Sequence, residues 1–541
     1  MTREKYQLHD EYEYFLLHHG GKSTVTGSCH ELRINDYGIL IDCGLFQGKD
    51  AASDPISALN IEFDISHIET LVITHSHIDH IGRLPWLLAA GFNKPIYCTK
   101  ATAALIPLML DDGLKIQLGL NSKQRKVILD KITALIQPVE YGKREEIELG
   151  TEDASLESRK NKSVKADTRT QKAFASTRDA SHETHHDSCC ELRGRYTREP
   201  KIEAIPKHEK TAKKSPDLGS RSKAHSLSFS FQPAGHILGS AYVEITLPND
   251  EVIVFSGDLG PRNTPLLPDP VSPQRADYLV IETTYGNKQH EDVSARSLRL
   301  EKIVKQSLLD GGVILIPAFS VGRTQEILFD IERLIEHSIE SKTTSDDFWQ
   351  QLPIILDSPL ALKVTKQYEH FKQLWDDECI DPNKRPSSQR HPLSFEQLIT
   401  IDSHKEHQRL VNRLTSTNEP AIVIAASGMC NGGRIMNYLQ YLLPKKETDV
   451  ILAGFQAYGT LGRELQEGEP YVFISNQKIK VNAQVHSMSG YSAHADKEDL
   501  LAFIEGIGSP IKQIHLIHGE PAARDKFKDI LKTRFTGDII G

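Results

Sequence analysis

The sequence lacks three features that would each define a class of protein: long apolar runs, paired cysteines and an excess of basic residues. No stretch of 18 apolar residues occurs and the chain starts with polar residues, so we expect neither a membrane span nor a secretory signal. The 7 cysteines show no CxxC spacing, which argues against a disulfide framework or a thiolate zinc site. The net charge of −9 argues against a protein that coats nucleic acid through bulk charge. A cytoplasmic globular protein is expected.

The apolar residues are arranged as in an α/β protein. Of 541 residues, 39% are hydrophobic, which suffices for large cores and about three domains. Short apolar runs at 38–42 and 69–74 end in polar residues, as buried strands do, and 81–90 and 121–137 read as helices. After residue 286, strands and helices alternate regularly, which predicts a parallel sheet.

Residues 143–225 have a different composition. They are poor in apolar residues and rich in Lys, Arg, Glu, Ser and Thr, with more basic than acidic side chains. No core can form from such a segment, so we predict a basic, disordered insertion. Its stretch HETHHDSCC lacks a paired second half, which argues against a metal site there. The insertion either adds an electrostatic contact to a substrate or is a solvated appendage.

The densest cluster of chemically active residues is THSHIDH at 74–80, directly after a predicted strand. It offers His75, His77, Asp79 and His80 within six residues, and imidazole nitrogen and carboxylate oxygen are the ligands of catalytic zinc sites. The alternative is a polar loop with fortuitous histidines. Because one loop cannot enclose a pair of metal ions, further ligands are expected at other strand ends.

Two candidates follow later strands. His236 lies in PAGHILGSAY between two predicted strands, and Asp258 lies in VFSGDLG directly after one. Each taken alone is more often an ordinary turn residue. Following the cluster at 74–80 in this order, the two together favour metal ligation.

The series THSHIDH, GHILGS and FSGDLG resembles the signature of the metallo-β-lactamase superfamily, which has a four-layer αββα fold and a dinuclear zinc site. The later motifs VIETTYG, PAFSVGRTQEIL, LDSPLA, ASGMCNGGR, SGYSAHAD and LIHGE resemble its β-CASP branch, which processes nucleic acids. The resemblance implies an αββα sandwich with an inserted parallel-sheet α/β domain. It covers nearly the whole chain outside 143–225 and parts of 341–420.

The resemblance also implies roles for individual residues. It places two zinc ions in each chain, bridged by Asp258. The ligands it assigns to the first ion are His75, His77 and His236. Those it assigns to the second are Asp79, His80 and His518. The histidine at 518 marks members that act on RNA, where DNA nucleases of the branch usually have valine.

Further roles follow from the same motifs. Asp42 in LIDCGLFQG matches an aspartate that orients the site, and His494 matches the proton donor. Glu282 is expected to hydrogen-bond His494 and raise its pKa, although a strand-end acid before a turn is an alternative. Loops that open helices expose amides suited to phosphate. The RNA contacts expected there are Ser320, Arg323, Ser427, Gly428 and Arg434, with the alternative that the glycines of these loops only reflect tight turns.

The expected domains are a catalytic first part at 1–288, a β-CASP domain at 289–470 and a catalytic C-terminal part at 471–541. The function implied is a zinc-dependent ribonuclease that hydrolyses single-stranded RNA with a metal-bridged hydroxide. Alternatives are a thioesterase-like metallo-hydrolase, a DNA nuclease and a catalytically inactive RNA-binding scaffold. RNA is the expected partner and no nucleotide cofactor is expected. A homodimer, and endonuclease against 5′-to-3′ exonuclease action, stay open.

Overall fold

The computed structural model describes residues 5–9, 11–47, 50, 59–149, 225–341, 348–380, 391–417 and 419–541. The chain divides into a main unit, Met1–Ile147 with Ser226–Gly541, and a small unit, Glu148–His225. All the functional residues proposed above lie in the main unit. Most of the expected insertion lies outside the described residues, but its start differs from the prediction: Glu145–Leu149 is a strand with Ile147 and Leu149 buried.

The elements of the described residues are as follows. The strands are β1 (Lys5–Gln7), β2 (Tyr14–Gly20), β3 (Cys29–Ile34), β4 (Tyr37–Ile41), β5 (Ile68–Val72), β6 (Ile96–Thr99), β7 (Ile136–Val139), β8 (Glu145–Leu149), β9 (His225–Pro233), β10 (Ala241–Thr246), β11 (Val252–Phe255), β12 (Tyr278–Glu282), β13 (Val313–Pro317), β14 (Ile354–Asp357), β15 (Leu398–Thr400), β16 (Ala421–Ala425), β17 (Asp449–Leu452), β18 (Tyr471–Ile474), β19 (Gln477–Lys480), β20 (Gln484–Ser487), β21 (Gln513–Ile517) and β22 (Asp538–Ile540). The helices are α1 (Ile78–Ile81), α2 (Leu84–Ala89), α3 (Lys100–Leu118), α4 (Ser122–Leu135), α5 (Val293–Asp310), α6 (Arg323–Ser341), α7 (Phe348–Gln351), α8 (Pro359–His370), α9 (Asp377–Ile380), α10 (His404–Ser416), α11 (Ile435–Leu442), α12 (Leu461–Glu467), α13 (Lys497–Glu505) and α14 (Pro521–Lys532). None of these helices is long and apolar enough to cross a membrane.

Two sheets form a sandwich. Their strand orders are β1-β2-β3-β4-β5-β6-β7 and β22-β21-β12-β11-β10-β9-β8. Their inner faces meet where the ring of Tyr6 lies edge-on to His515 and that of Tyr97 edge-on to Phe229, each pair with centroids 5.2 Å apart. The outer face of the second sheet is covered by α13 and α14, and the first sheet is covered by α3, against which α4 packs. The fold is therefore the predicted αββα sandwich.

A third sheet lies between β12 and β21 in the sequence. Its strand order is β15-β14-β16-β13-β17-β20, and all its neighbouring strands are parallel. The strands Val313–Pro317 and Ala421–Ala425 are buried throughout, as expected when helices cover both faces of a parallel sheet. The last strand, β20, pairs with Asp449–Leu452 of this sheet. The third sheet therefore extends beyond the domain boundary that was expected at residue 470.

The third sheet shares an apolar core with the sandwich. Leu105 of α3 and Ile237 belong to one buried cluster with Leu328 of α6 and Tyr368 of α8. The hydroxyl of Tyr368 also accepts a hydrogen bond from the backbone N–H of Leu238, at 3.1 Å. This continuous packing holds the helices of the third sheet against the sandwich within the main unit.

The helix predicted at 81–90 is instead two short helices, α1 and α2. Between them, the backbone N–H of Arg83 donates to the Cys43 carbonyl, and its guanidinium Nε donates to the Gly44 carbonyl. These tertiary bonds replace the bonds that would continue α1. The sequence pattern also did not predict α3, which contains Pro107, a residue that normally argues against a helix interior.

Candidate metal centre

The loop after β5 carries the first group of polar side chains. The segment after β4 packs against this loop, and the Cys43 N–H donates a hydrogen bond to the His80 carbonyl at 2.8 Å. Gly44 is required in this segment, because a Cβ there would lie 1.5 Å from the Asp79 carbonyl oxygen. Asp42 just before it has a φ of 61°, a strained value of the kind found at functional positions. Close backbone packing thus places the side chains of residues 75–80.

Four buried or half-buried groups converge in a first cluster: His75, His77, His236 and Asp258. The Nε2 atom of His236 lies 3.0 Å from Nδ1 of His77. The Oδ2 atom of Asp258 lies 3.6 Å from Nε2 of both His75 and His236. Each residue points one ligand atom at the same point, and all these atoms lie within 4.8 Å of one another.

A second cluster contains Asp79, His80 and His518. The other carboxylate oxygen of Asp258, Oδ1, lies 3.3 Å from Nε2 of His80 and 3.5 Å from Nε2 of His518. Asp258 therefore faces both clusters, one oxygen to each. We call the two clusters together the metal centre: His75, His77, Asp79, His80, His236, Asp258 and His518.

The residues of the metal centre fit a metal ion. Within the described part of the chain, Nε2 of His75, Nε2 of His80 and Oδ1 of Asp258 are buried without a hydrogen-bond partner. Buried polar atoms are almost always hydrogen-bonded, and leaving them unpaired is unfavourable. Imidazole nitrogens and a carboxylate are ligands that zinc binds. Bound cations would satisfy these atoms.

The ligand rings are held by hydrogen bonds at their second nitrogen. Nδ1 of His80 lies 2.8 Å from Asp42 Oδ2, and Nδ1 of His236 lies 2.7 Å from the Ala493 carbonyl. Asp42 also accepts from the N–H and the hydroxyl of Thr74, both at 2.8 Å. Such partners fix the tautomer and direct Nε2 to the centre. Asp42 thus hydrogen-bonds both Thr74 and His80, and its orienting role stays a prediction.

For His77, His518 and Asp258, the electrostatics of the centre favour the protonation state that can bind a metal ion. Burial lowers the pKa of His77 and of His518 to about 3, so both rings are neutral and carry a free lone pair. Burial raises the pKa of Asp258, but its electrostatic interactions with the surrounding histidines, first His518 and then His80, outweigh burial and hold that pKa well below its usual range. The carboxylate is therefore ionised, the form in which it can bind a cation.

His494 and Glu282 lie beside the metal centre. Nδ1 of His494 is 3.0 Å from Oε2 of Glu282 and 3.8 Å from Oδ2 of Asp258, and its side chain is 17% exposed. Burial lowers the pKa of His494, but the charge of Glu282 and then of Asp258 more than offsets it and raises the pKa to about 9. Glu282 is fully buried at the end of β12, and its Oε1 accepts from the Leu259 N–H at 2.6 Å.

The sequence did not single out Arg296 of α5, which supports the turn that carries His494. Its guanidinium is fully buried, donating from Nε to Asp330 at 3.0 Å and from Nη1 to the Gly490 carbonyl at 2.6 Å, and it lies over the ring of Tyr491. An arginine within an amphipathic helix gives no sign of such a role. Only its tertiary partners reveal that it ties residues 490–491 to α5 and α6.

Two arginines that are expected to contact RNA form hydrogen bonds to protein groups in this structure. Arg323 is buried and its guanidinium pairs with Glu326 one turn later in α6. Arg434 donates to Asp357 at 2.6 Å and to the carbonyls of Ile401 and Asp402. Each cation has anionic or carbonyl partners that the sequence could not identify, and its contact with RNA stays a prediction.

The remaining expected RNA contacts are less constrained. Ser320 is nearly buried, with its hydroxyl 3.3 Å from that of Ser358. The hydroxyl of Ser427 accepts from the Asn431 N–H at 3.2 Å. Gly428 lies against Phe319, whose ring a Cβ would approach to 2.7 Å. These three positions stay predictions.

Three family models match the chain in order: the metallo-β-lactamase superfamily at residues 24–157, the β-Casp domain at 324–465 and the Zn-dependent metallo-hydrolase RNA specificity domain at 478–540. A buried histidine and aspartate centre at the strand ends of an αββα sandwich is the site of a metal-dependent hydrolase, and this is the class of the protein. The chain belongs to the metallo-β-lactamase superfamily, in its β-CASP branch. The predicted family and fold are confirmed.

Curated relatives are similar along most of the chain. Ribonuclease TTHA0252 of Thermus thermophilus is 29% identical over 93% of this chain and 92% of its own length. Transcription termination factor FttA of Methanosarcina mazei is 24% identical over 93% of this chain and 66% of its own length. Endoribonuclease YSH1 of Saccharomyces cerevisiae is 25% identical over 97% of this chain and 56% of its own length. The chain thus spans less than two thirds of the length of the last two relatives.

Proposed function

We propose that the chain is a ribonuclease that hydrolyses phosphodiester bonds of single-stranded RNA and holds two zinc ions. The observation that carries this proposal is the position of Asp258, whose two carboxylate oxygens face two separate sets of ligand atoms. The relatives whose names describe a ribonuclease and an endoribonuclease support RNA as the substrate. So does the match to an RNA specificity domain at the end of the chain.

The ligand sets suggest how the ions would be held. His75, His77 and His236 would hold one ion, and Asp79, His80 and His518 the other, with Asp258 common to both. When bound, zinc ions would supply an activated water and neutralise charge on the scissile phosphate. Nitrogen and carboxylate donors without thiolates suit zinc in a catalytic rather than a structural site.

His494 is suited to protonate the departing ribose oxygen. Its Nδ1 is engaged by Glu282, which leaves Nε2 to hold the transferable proton. With its pKa raised to about 9, the ring is protonated at neutral pH. General acid catalysis of this kind contributes roughly 10²- to 10⁴-fold to a rate. Glu282 would orient the ring and keep it charged.

The substrate class is tested by offering the zinc-loaded protein three substrates: a 5′-labelled single-stranded RNA, the matching DNA and a thioester. We expect cleavage of the RNA alone. Cleavage of the thioester with the RNA left intact would refute the proposal in favour of a small-molecule hydrolase. Cleavage of DNA in preference to RNA would identify a DNA nuclease. Product lengths from the same reaction distinguish internal cuts from stepwise trimming.

The residue roles are tested in the same assay. His494→Ala should slow RNA cleavage by roughly 10²- to 10⁴-fold and leave the zinc content unchanged, whereas Asp79→Ala should lower the zinc content. His404→Ala, at an exposed histidine of α10, is the control and should behave as the unsubstituted protein. Full activity of His494→Ala would show that another group supplies the proton.

A further inference from the structure

A short hairpin formed by β18 and β19 stands between the third sheet's strands β17 and β20 in the sequence. The strands pair antiparallel and are joined by two residues, Ser475 and Asn476. Both have positive φ values, 50° and 61°, as in the tight turn whose twist matches that of paired strands. The hairpin is therefore a defined surface rather than an irregular loop.

The two faces of the hairpin differ in composition. Val472 and Ile474 are buried and belong to an apolar core of the third sheet, where Ile479 packs against them. On the opposite face, the side chains of Tyr471 and Phe473 are 46% and 66% exposed. Alternation along the strand explains the division, since neighbouring side chains point to opposite faces.

Lysines complete the exposed face. Tyr471 pairs across the strands with Lys480, and Phe473 with Lys478. The ammonium nitrogen of Lys478 lies 4.3 Å from the centroid of the Tyr471 ring. Neither lysine forms an ion pair with any carboxylate of the described residues, and residues 471–480 include no acidic side chain. In a chain of net charge −9, this face is cationic and aromatic.

Aromatic rings next to unpaired cations form the kind of surface that binds single-stranded nucleic acid. Bases stack on exposed rings and phosphates pair with the lysines. We propose that the outer face of the hairpin, formed by Tyr471, Phe473, Lys478 and Lys480, is a stacking platform for single-stranded RNA. This inference rests on the proposed ribonuclease function, to which it adds a binding surface.

Charge distinguishes RNA from the other ready occupant, a second copy of the chain. In a symmetric dimer built on this face, the lysines of one copy would meet those of the other with no carboxylate on the face to pair with them. A polyanion matches the same lysines. The order of aromatic and basic residues across the two strands lets one strand of RNA contact both kinds.

Binding is measured apart from cleavage, by fluorescence anisotropy of a labelled single-stranded RNA of about 30 nucleotides in a His494→Ala background. Replacing both rings, with Tyr471→Ala and Phe473→Ala, should weaken binding at least about tenfold. Replacing both lysines, with Lys478→Gln and Lys480→Gln, should reduce the slope of log affinity against log salt by about 1.4, or about 0.7 per lost phosphate contact. All four side chains lie on the exposed face, so the variants should unfold at the same temperature as the parent.

Control variants remove an exposed ring or exposed lysines at positions outside the hairpin. Tyr12→Ala removes another exposed ring, and Lys123→Gln with Lys526→Gln removes two charges from exposed helix positions. These controls should bind RNA as the parent does. Equal weakening by the controls, or no weakening by the hairpin variants, would overturn the platform. So would a hairpin variant that changes a dimer to a monomer in sedimentation but binds RNA unchanged.

The outcomes separate this inference from the proposed function. If the protein cleaves RNA and the hairpin variants bind it normally, the platform is wrong and the ribonuclease stands. If the protein binds RNA through the hairpin yet does not cleave it, the ribonuclease is wrong and the platform stands. If it binds no RNA, both are wrong.

Discussion

The metal centre and a second group of buried histidines in the sandwich differ in the partners of their ring nitrogens. The metal centre is built around Asp258. A second histidine group consists of His18, His30 and His515, on β2, β3 and β21. Nδ1 of His18 lies 2.8 Å from Nδ1 of His30, and the other described partners of this group are a serine and a glutamine. Its hydrogen-bond partners are thus neutral.

The comparison shows that burial makes a histidine neutral but does not make it a ligand. Burial lowers the pKa of His18 to about 3, as it does for His77 in the metal centre. In the second group, the rings of His18 and His30 hydrogen-bond each other, and although Nε2 of His18 and Nδ1 of His515 have no hydrogen-bond partner among the described residues, no carboxylate is hydrogen-bonded to the group. In the metal centre, Nε2 atoms of several histidines face the one ionised carboxylate of Asp258. Hydrogen bonds at Nδ1 hold the rings of His80 and His236 in place.

The largest effect is expected for Asp258→Asn, which removes the charge shared by both clusters. Metal content and RNA cleavage should both fall, the latter by roughly 10³-fold or more, because ligands acting as a unit lose most of their effect together. Metal analysis after desalting and the cleavage assay provide the measurements. The control is His30→Gln, a substitution in the second histidine group, and this variant should retain the metal. If Asp258→Asn also retained the metal, the two histidine groups would not differ in the way proposed.

An intermediate effect is expected for Asp42→Asn. The amide leaves Thr74 a hydrogen-bond acceptor but no longer holds Nδ1 of His80 by charge. Loss of such an outer partner typically costs about 10- to 100-fold in metal affinity or activity. A zinc titration with a competing chelator measures the affinity. An unchanged affinity would mean that the loop backbone alone orients His80.

The smallest effect concerns acid stability and the second histidine group. His18 has a pKa of about 3 in the folded state and an unfolded value of about 6.5, so the unfolded chain binds more protons between these values. The free energy of unfolding should therefore rise with pH across this window and fall as the pH drops below about 6.5. Each such histidine contributes up to about 1.4 kcal/mol per pH unit.

Urea unfolding of the metal-free protein at pH 7 and pH 5 measures this dependence. His18→Gln should make it shallower, and His404→Gln, at an exposed position, should leave it unchanged. Equal pH dependence in all three proteins would mean that His18 does not titrate on unfolding. The second histidine group would then be a packing feature without an electrostatic cost.

Much of the metal centre could be read from the sequence because its residues lie at strand ends in short, dense motifs. His75, His77, Asp79 and His80 lie within six residues of one another in the sequence, and His236 and Asp258 follow recognisable strands. The second histidine group carries no such signal, since its members sit within strands. Local patterns report strand ends well, because a buried apolar run stops where polar residues begin.

The protein partners of Arg323 and Arg434 could not be predicted from the sequence, for a related reason. A sequence places an arginine on a helix or in a loop but does not show which carboxylate lies opposite it. Arg323 forms an ion pair with Glu326, and Arg434 forms one with Asp357, which is 77 residues away in the chain. Likewise, the break between α1 and α2 depends on bonds to the segment after β4, which local periodicity cannot reveal.

The sequence by itself determined the fold class, the family and the identity of the candidate ligands, because each depends on residue type and spacing along the chain. The tertiary structure decided that Asp258 faces both clusters, that Glu282 lies against His494, that Arg296 holds the 490–491 turn, and that β20 joins the third sheet. These are pairings between residues far apart in sequence. Which of many polar groups meet is settled by the packing of sheets and helices, and this packing depends on the whole chain at once.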